Sequence, residues 1–130
     1  MQVADVRNTD FEDVLALNQA AVPHVNSLAP GDINWFASHA NYFRVARCGG
    51  ELAGFLIGLG PGLDYESPNY RYFCSRHDAF GYVDRVVVAA TARRQGVGSK
   101  LYDDYAATLR SFVPVMTCEV NIRPPNESSM

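Results

Sequence analysis

The sequence has no apolar run long enough to cross a bilayer and no signal-peptide pattern at its N-terminus. Cysteine is scarce. Cys48, Cys74 and Cys118 are odd in number and widely spaced, which gives neither a disulfide framework nor a metal-ligand spacing. They read as reduced thiols, so the expected compartment is cytoplasmic. His24, His39 and His77 have no second ligand at metal spacing. Basic charge is also in short supply. Eleven Lys and Arg stand against 14 Asp and Glu, a net charge of −3, which argues against a nucleic-acid partner. Internal repeats and low-complexity segments are missing too. What remains is 130 residues, 48% hydrophobic and 19% charged, which suits one globular domain with one core, residues 1–130.

One stretch organises the chain, Tyr82 to Arg110. Tyr82 to Val88 is dense in β-branched residues and predicts a strand. A polar, basic bend follows at Thr91 to Gln95, then Gly96-Val97-Gly98. Val97, Leu101, Tyr105 and Leu109 then recur every four residues, the stripe of an amphipathic helix. A strand, a glycine-bearing turn and a helix start form an anion site, because the first-turn N–H groups lack helical partners and sit at the positive end of the dipole. A Walker loop needs G-x-x-x-x-G-K-[ST], but Ser99 precedes Lys100 and the leading glycine is missing. A dinucleotide fingerprint needs a third glycine where Leu101 stands.

Arg93-Arg94-Gln95-Gly96-Val97-Gly98 instead matches Q/R-x-x-G-x-G/A, and with its strand and helix it resembles the GNAT superfamily of N-acetyltransferases. The resemblance implies a mixed α/β (α+β) sheet with the GNAT-like acyl-CoA N-acyltransferase fold. It also implies acetyl-CoA as donor, and a primary amine on a small molecule or peptide as acceptor. The backbone from Gln95 through Gly96, Val97 and Gly98 to Ser99 would take the pyrophosphate, with Arg93 and Arg94 adding charge. Main chain at Val86, Val87 and Val88 would pair with the pantetheine arm like an added strand. Asn126 matches a pantetheine-side position in the family.

Direct transfer needs a base for the amine and donors for the thioester oxygen. The Val88 N–H is the family-like donor. Asp84 is the first candidate for the base: strand alternation puts it on the face of Val86 and Val88, where desolvation would raise its pKa. Pairing with an arginine is the competing role. Glu119 is the second candidate. A non-catalytic acyl-CoA-binding module is the rival function.

Elsewhere, Val3–Arg7 predicts a strand, and Thr9 with Glu12 a capping box opening a helix to about Ala21. Phe11, Val14, Leu15 and Asn18 share a face of it. A second helix runs from Gly31 or Asp32 to about Ala40. Tyr42–Arg47 and Glu51–Leu59 predict a hairpin turning at Gly49-Gly50. Gly54, Gly58 and Gly60 mark a bulge or close approach, or merely a tolerant strand end. After Gly60, Ser67 and Pro68 open a third helix. Tyr70 and Phe73 are expected in the core, Tyr65 and Tyr72 on the acceptor wall. Val115–Val120 predicts the last strand, followed by Asn121 and two prolines. The family's further helix and strands have no counterpart before Met130. The expectation is therefore a C-terminally incomplete domain whose open edge invites a second copy.

Overall fold

The computed structural model describes residues 1–65, 67–76, 81–109 and 116–117. Strand β1 (Gln2–Asp5) leads through a 3-10 turn at Asn8–Asp10 to helix α1 (Phe11–Ala20). Helix α2 (Pro30–His39), strands β2 (Tyr42–Cys48) and β3 (Glu51–Leu59) and helix α3 (Pro68–Arg76) follow. Strand β4 (Gly81–Val88), a 3-10 turn at Ala90–Ala92, helix α4 (Val97–Leu109) and strand β5 (Met116–Thr117) complete the order. The strands lie side by side in chain order, antiparallel except for the parallel β4–β5 pair.

The two faces of the sheet carry different layers. Val45, Phe55, Ile57 and Val87 pack against Val14 of α1 and Ile33 and Phe36 of α2. Ala46, Leu56, Val83, Val86 and Val88 pack against Val97, Leu101, Tyr105 and Leu109. The four-residue stripe predicted for α4 is thus its buried face. Asp104 pins this helix to β2, accepting from the Tyr42 hydroxyl (2.8 Å) and from Arg44 Nη1 (2.9 Å).

The hairpin turns at Gly49 and Gly50, both at positive φ (61° and 86°), as a two-residue connection requires. Close approach is the reason for Gly54 and Gly58. A Cβ on Gly58 would lie 2.3–2.5 Å from the Tyr105 ring, and one on Gly54 would lie 2.7 Å from the Val87 carbonyl oxygen.

Helix entry differs from the sequence reading. The reciprocal cap forms not at Thr9 and Glu12 but two residues earlier, where the Asp10 carboxylate accepts the Arg7 N–H at 2.9 Å. Asp10 is 2% exposed and paired with Arg47 of β2, and that tertiary contact decides which carboxylate turns inward. Helix α2 likewise begins at Pro30, because Asp32 accepts the Ala29 N–H from inside the first turn (2.8 Å). β1 is two residues shorter at its end than expected, although Val6 N–H still reaches the Phe43 carbonyl at 3.0 Å.

A bulge in β4 matters most for the site. Ile57 pairs with Arg85 and Gly58 with Val83, so Asp84 is an extra residue opposite a single step of β3. Val83 and Val86 consequently share the α4 face although they are three residues apart. Asp84 does not join them, contrary to simple alternation. Its carboxylate meets Tyr65, which packs on the opposite, α1–α2 face.

Candidate active site

The strand–turn–helix unit singled out from the sequence begins with β4. Val86, Val87 and Val88 are buried through their side chains. Among the described residues β5 pairs only with Gly81 and Tyr82, at the start of β4. Beyond Val88, the Ala89 N–H bonds to the Ala53 carbonyl (2.7 Å) and the Ala92 N–H to the Ala89 carbonyl (2.9 Å), and buried Ala92 anchors the turn. Arg93, Arg94, Gln95 and Gly96 are then exposed, as are Ser99 and Lys100, while Val97 and Gly98 are buried.

Gly96 sits at φ 77°, and a Cβ there would meet nothing within 4 Å, so backbone conformation and open space are both served by glycine. Arg94 adopts φ 71° as well, a conformation unusual for a side-chain-bearing residue. The Lys100 N–H closes onto the Gly96 carbonyl at 2.9 Å, the first bond of α4. The N–H groups ahead of it, Val97 to Ser99, belong to the unbonded first turn. Two exposed guanidiniums therefore flank a helix N-terminus, a donor set suited to a diphosphate.

A cleft of about 520 Å³ lies on the α1–α2 face, lined in part by Asn26, Leu28, Trp35, Phe36, Tyr65 and Arg85. Its walls are aromatic. Trp35 stacks on Tyr65 (centroids 5.6 Å apart) and on His39 (4.5 Å). Phe36 meets Tyr65 edge-on at 5.8 Å. The loop that brings Tyr65 here is tied to α3. Tyr70 donates to the Gly60 carbonyl (2.5 Å) and accepts the Leu63 N–H (2.9 Å), and Arg71 Nε donates to the Tyr65 carbonyl (2.9 Å).

A buried polar network lies beneath this cleft. Tyr65 donates to Asp84 Oδ1 at 2.5 Å, and Arg85 Nε donates to Asp84 Oδ2 at 2.8 Å. Arg85 Nη1 also donates to Asn18 Oδ1 (2.9 Å) and to the Asn26 carbonyl (3.1 Å), with its guanidinium over the Phe36 ring at 5.6 Å. The Asp84 and Arg85 side chains are only 6% and 5% exposed. Burial pushes the Tyr65 phenol well above the usual tyrosine range, and the Asp84 charge and hydrogen bond add to it while Arg85 opposes. Tyr65 is thus a phenol, not a phenolate. Burial also pushes Tyr70 up to about 12.

The network changes the reading of Asp84. It carries the arginine partner that was the competing role, it has both oxygens engaged, and it lies behind Tyr65 and Arg85 rather than in the cleft lining. Of Tyr65 and Tyr72, both expected on the acceptor wall, Tyr65 lines the cleft. Tyr72 is 53% exposed and does not line the cleft, while Tyr70 is fully buried as expected. The Phe73 side chain, His77, Glu119, Asn121 and Asn126 lie outside the described residues. Arg85 was not singled out from the sequence, and Asn18 was named only as one of the residues sharing a face of the first helix. Their signal was a polar residue inside an apolar pattern: an arginine within a valine-rich strand and an asparagine on the inner stripe of α1. No group of His, Cys, Asp or Glu among the described residues could hold a metal ion. None of the described helices is long and apolar enough to cross a membrane.

Comparison with known proteins agrees with this geometry. The family model of the acetyltransferase (GNAT) family matches residues 6–130. No curated protein sequence matches the chain. Among solved structures, a ribosomal-protein-alanine N-acetyltransferase from Brucella melitensis superposes with a TM-score of 0.72 at 16% identity, over 96% of this chain and 83% of that one. An aminoglycoside 6'-N-acetyltransferase from Acinetobacter haemolyticus gives 0.71 at 13% identity, over 98% and 84%. The aminoglycoside enzyme AAC(6')-Iy, bound to a coenzyme A bisubstrate analogue, gives 0.69 at 15% identity, over 97% and 82%. At these identities the structures share a fold, and the family match over nearly the whole length adds the lineage: the chain belongs to the GNAT acetyltransferase family, whose members move an acetyl group from acetyl-CoA to an amine.

Proposed function

We propose that the acceptor amine enters the Trp35–Tyr65 cleft and attacks the thioester directly, in a ternary complex with acetyl-CoA. The observation that carries this reading is the layout of β4. Arg85 lines the cleft, Val86 to Val88 follow at about 3.3 Å per residue, and the Arg93–Ser99 turn continues from them. One strand thus links the acceptor cleft to the donor turn. In this reading Gln95, Gly96, Val97, Gly98 and Ser99 hold the pyrophosphate through backbone N–H groups, with Arg93 and Arg94 beside it. Val86, Val87 and Val88 pair with pantetheine, and Asn126 adds a contact to it. Asp84 is the base that finally holds the amine proton, and Glu119 is the second candidate. The free thiols of Cys48 and Cys74 accord with a cytoplasmic location.

Thiol release from acetyl-CoA tests the reading with a panel of 2-phenylethylamine, spermidine, L-lysinamide, kanamycin A and alanyl-alanine. Kanamycin A and the dipeptide represent the acceptor types named for the structural neighbours. Turnover of at least one is expected, and Asp84→Asn should lower kcat/KM by roughly 10²-fold. Tight acetyl-CoA binding with no turnover of any panel amine would instead identify a binding module.

A further inference from the structure

A base must touch the proton it takes, directly or through one intervening group. Asp84 has no place in the cleft lining, its side chain is 6% exposed, and its second oxygen is held by Arg85. Tyr65 does line the cleft, and its hydroxyl donates to Asp84 at 2.5 Å. The phenol is also held in place. Its ring is stacked on Trp35, its carbonyl is bonded by Arg71, and the loop leading to it is clamped by Tyr70. We infer that Tyr65 is a catalytic residue that relays the amine proton to Asp84.

The step balances as follows. The nitrogen lone pair of the neutral amine forms the C–N bond at the acetyl carbon. The C–S bond breaks and its electron pair leaves on the coenzyme A sulfur. The proton lost by nitrogen passes to the Tyr65 oxygen as the Tyr65 proton passes to Asp84 Oδ1. Asp84 then returns its proton to solvent through Tyr65, and the thiolate takes one from solvent. The phenol's raised pKa, caused first by burial and then by Asp84, suits a group that carries protons without resting as an anion.

The inference rests on the acetyl transfer proposed above, and the experiment separates the two. Tyr65→Phe keeps the ring on Trp35 and removes only the hydroxyl. With the fastest panel amine, its kcat should fall by roughly 10²-fold with KM for the amine little changed. Rates in mixed light and heavy water should depend on deuterium fraction along a curve in the wild type, as several protons move together. In the variant the dependence should become linear. Combining Tyr65→Phe with Asp84→Asn should cost no more than either alone, as for residues acting as a unit. Wild-type kcat and a curved dependence in Tyr65→Phe would overturn the relay. So would a loss of activity in Asp84→Asn that Tyr65→Phe does not share, although Asp84 would then stand as the base. No turnover of the panel by the wild type would overturn the transfer itself, and the relay with it.

Discussion

Asp10 shows how a single carboxylate can serve two segments at once. Desolvation alone would raise its pKa, but the Arg7 N–H and the Arg47 guanidinium outweigh that and hold it below its ordinary 3.8. A carboxylate with a depressed folded pKa adds stability above its unfolded pKa and loses it as pH falls through the folded value. Asp10→Asn should cost about 3 kcal/mol at pH 7, the lower end for breaking a buried pair, since Arg47 keeps 27% of its side chain exposed. Melting curves should show the gap between wild type and Asp10→Asn closing as pH drops below about 4. A gap that stays constant into acid would show that the carboxylate charge contributes nothing. Arg94 is the opposite case, a residue under local strain. At φ 71° it occupies the left-handed region, which costs a non-glycine residue about 1–2 kcal/mol. Arg94→Gly should relieve that strain and offset it by the added freedom of the unfolded chain, for a net gain of about 0.5–1 kcal/mol. Calorimetric affinity for acetyl-CoA should fall in the same variant, because a guanidinium beside the donor turn is gone. Unchanged affinity would detach Arg94 from the diphosphate.

The elements were legible wherever a local pattern suffices. Gly49-Gly50 announced the hairpin, and the Val97–Leu109 spacing announced the buried face of α4. What stayed hidden depends on partners distant in sequence. Nothing in Asp84-Arg85-Val86 marks an inserted residue, so alternation was carried straight through the bulge and put Asp84 on the wrong face. The cap moved from Thr9–Glu12 to Arg7–Asp10 because Arg47, 37 residues away, draws Asp10 inward. The burial of Arg85 was not legible because, besides the adjacent Asp84, its hydrogen-bond partners come from α1 and the loop after α1. Gly58 could be read as a tolerant strand end or as a contact, and only the fold chooses the contact. Gly58→Ala would drive a methyl into the Tyr105 ring, so it should destabilise by roughly 1–3 kcal/mol. In the Tyr105→Leu background the same substitution should cost clearly less, a coupling that urea unfolding of the four-variant cycle reads directly. Equal costs in both backgrounds would mean that the ring is not what the methyl meets.

At the scale of the whole molecule, one sheet separates two tasks. The α4 layer presents the turn proposed for the donor, and the α1–α2 layer walls the cleft proposed for the acceptor, with β4 common to both. A ligand bound only by the folded state stabilises it, by about 2.7 kcal/mol at 100 times its Kd. Acetyl-CoA at that excess should raise Tm by on the order of 10 °C. Gly96→Glu places a side chain and a negative charge where the diphosphate is proposed to lie, and φ 77° strains any residue but glycine there. Its shift on adding acetyl-CoA should shrink to a small fraction of the wild-type shift, whatever its own starting Tm. A full wild-type shift in this variant would place the donor elsewhere.

Trp35 is the only tryptophan in the sequence, and it stands in the cleft wall, stacked on Tyr65 and on His39. Its indole emission is therefore an intrinsic optical probe of one location. Light excited selectively in tryptophan comes from this cleft wall and from nowhere else in the protein. An amine that settles against that wall alters the polarity and quenching around the ring, whether or not acetyl-CoA is present. Fluorescence titration of the unlabelled wild-type chain can thus rank acceptors by occupancy alone, before any acetyl group has moved.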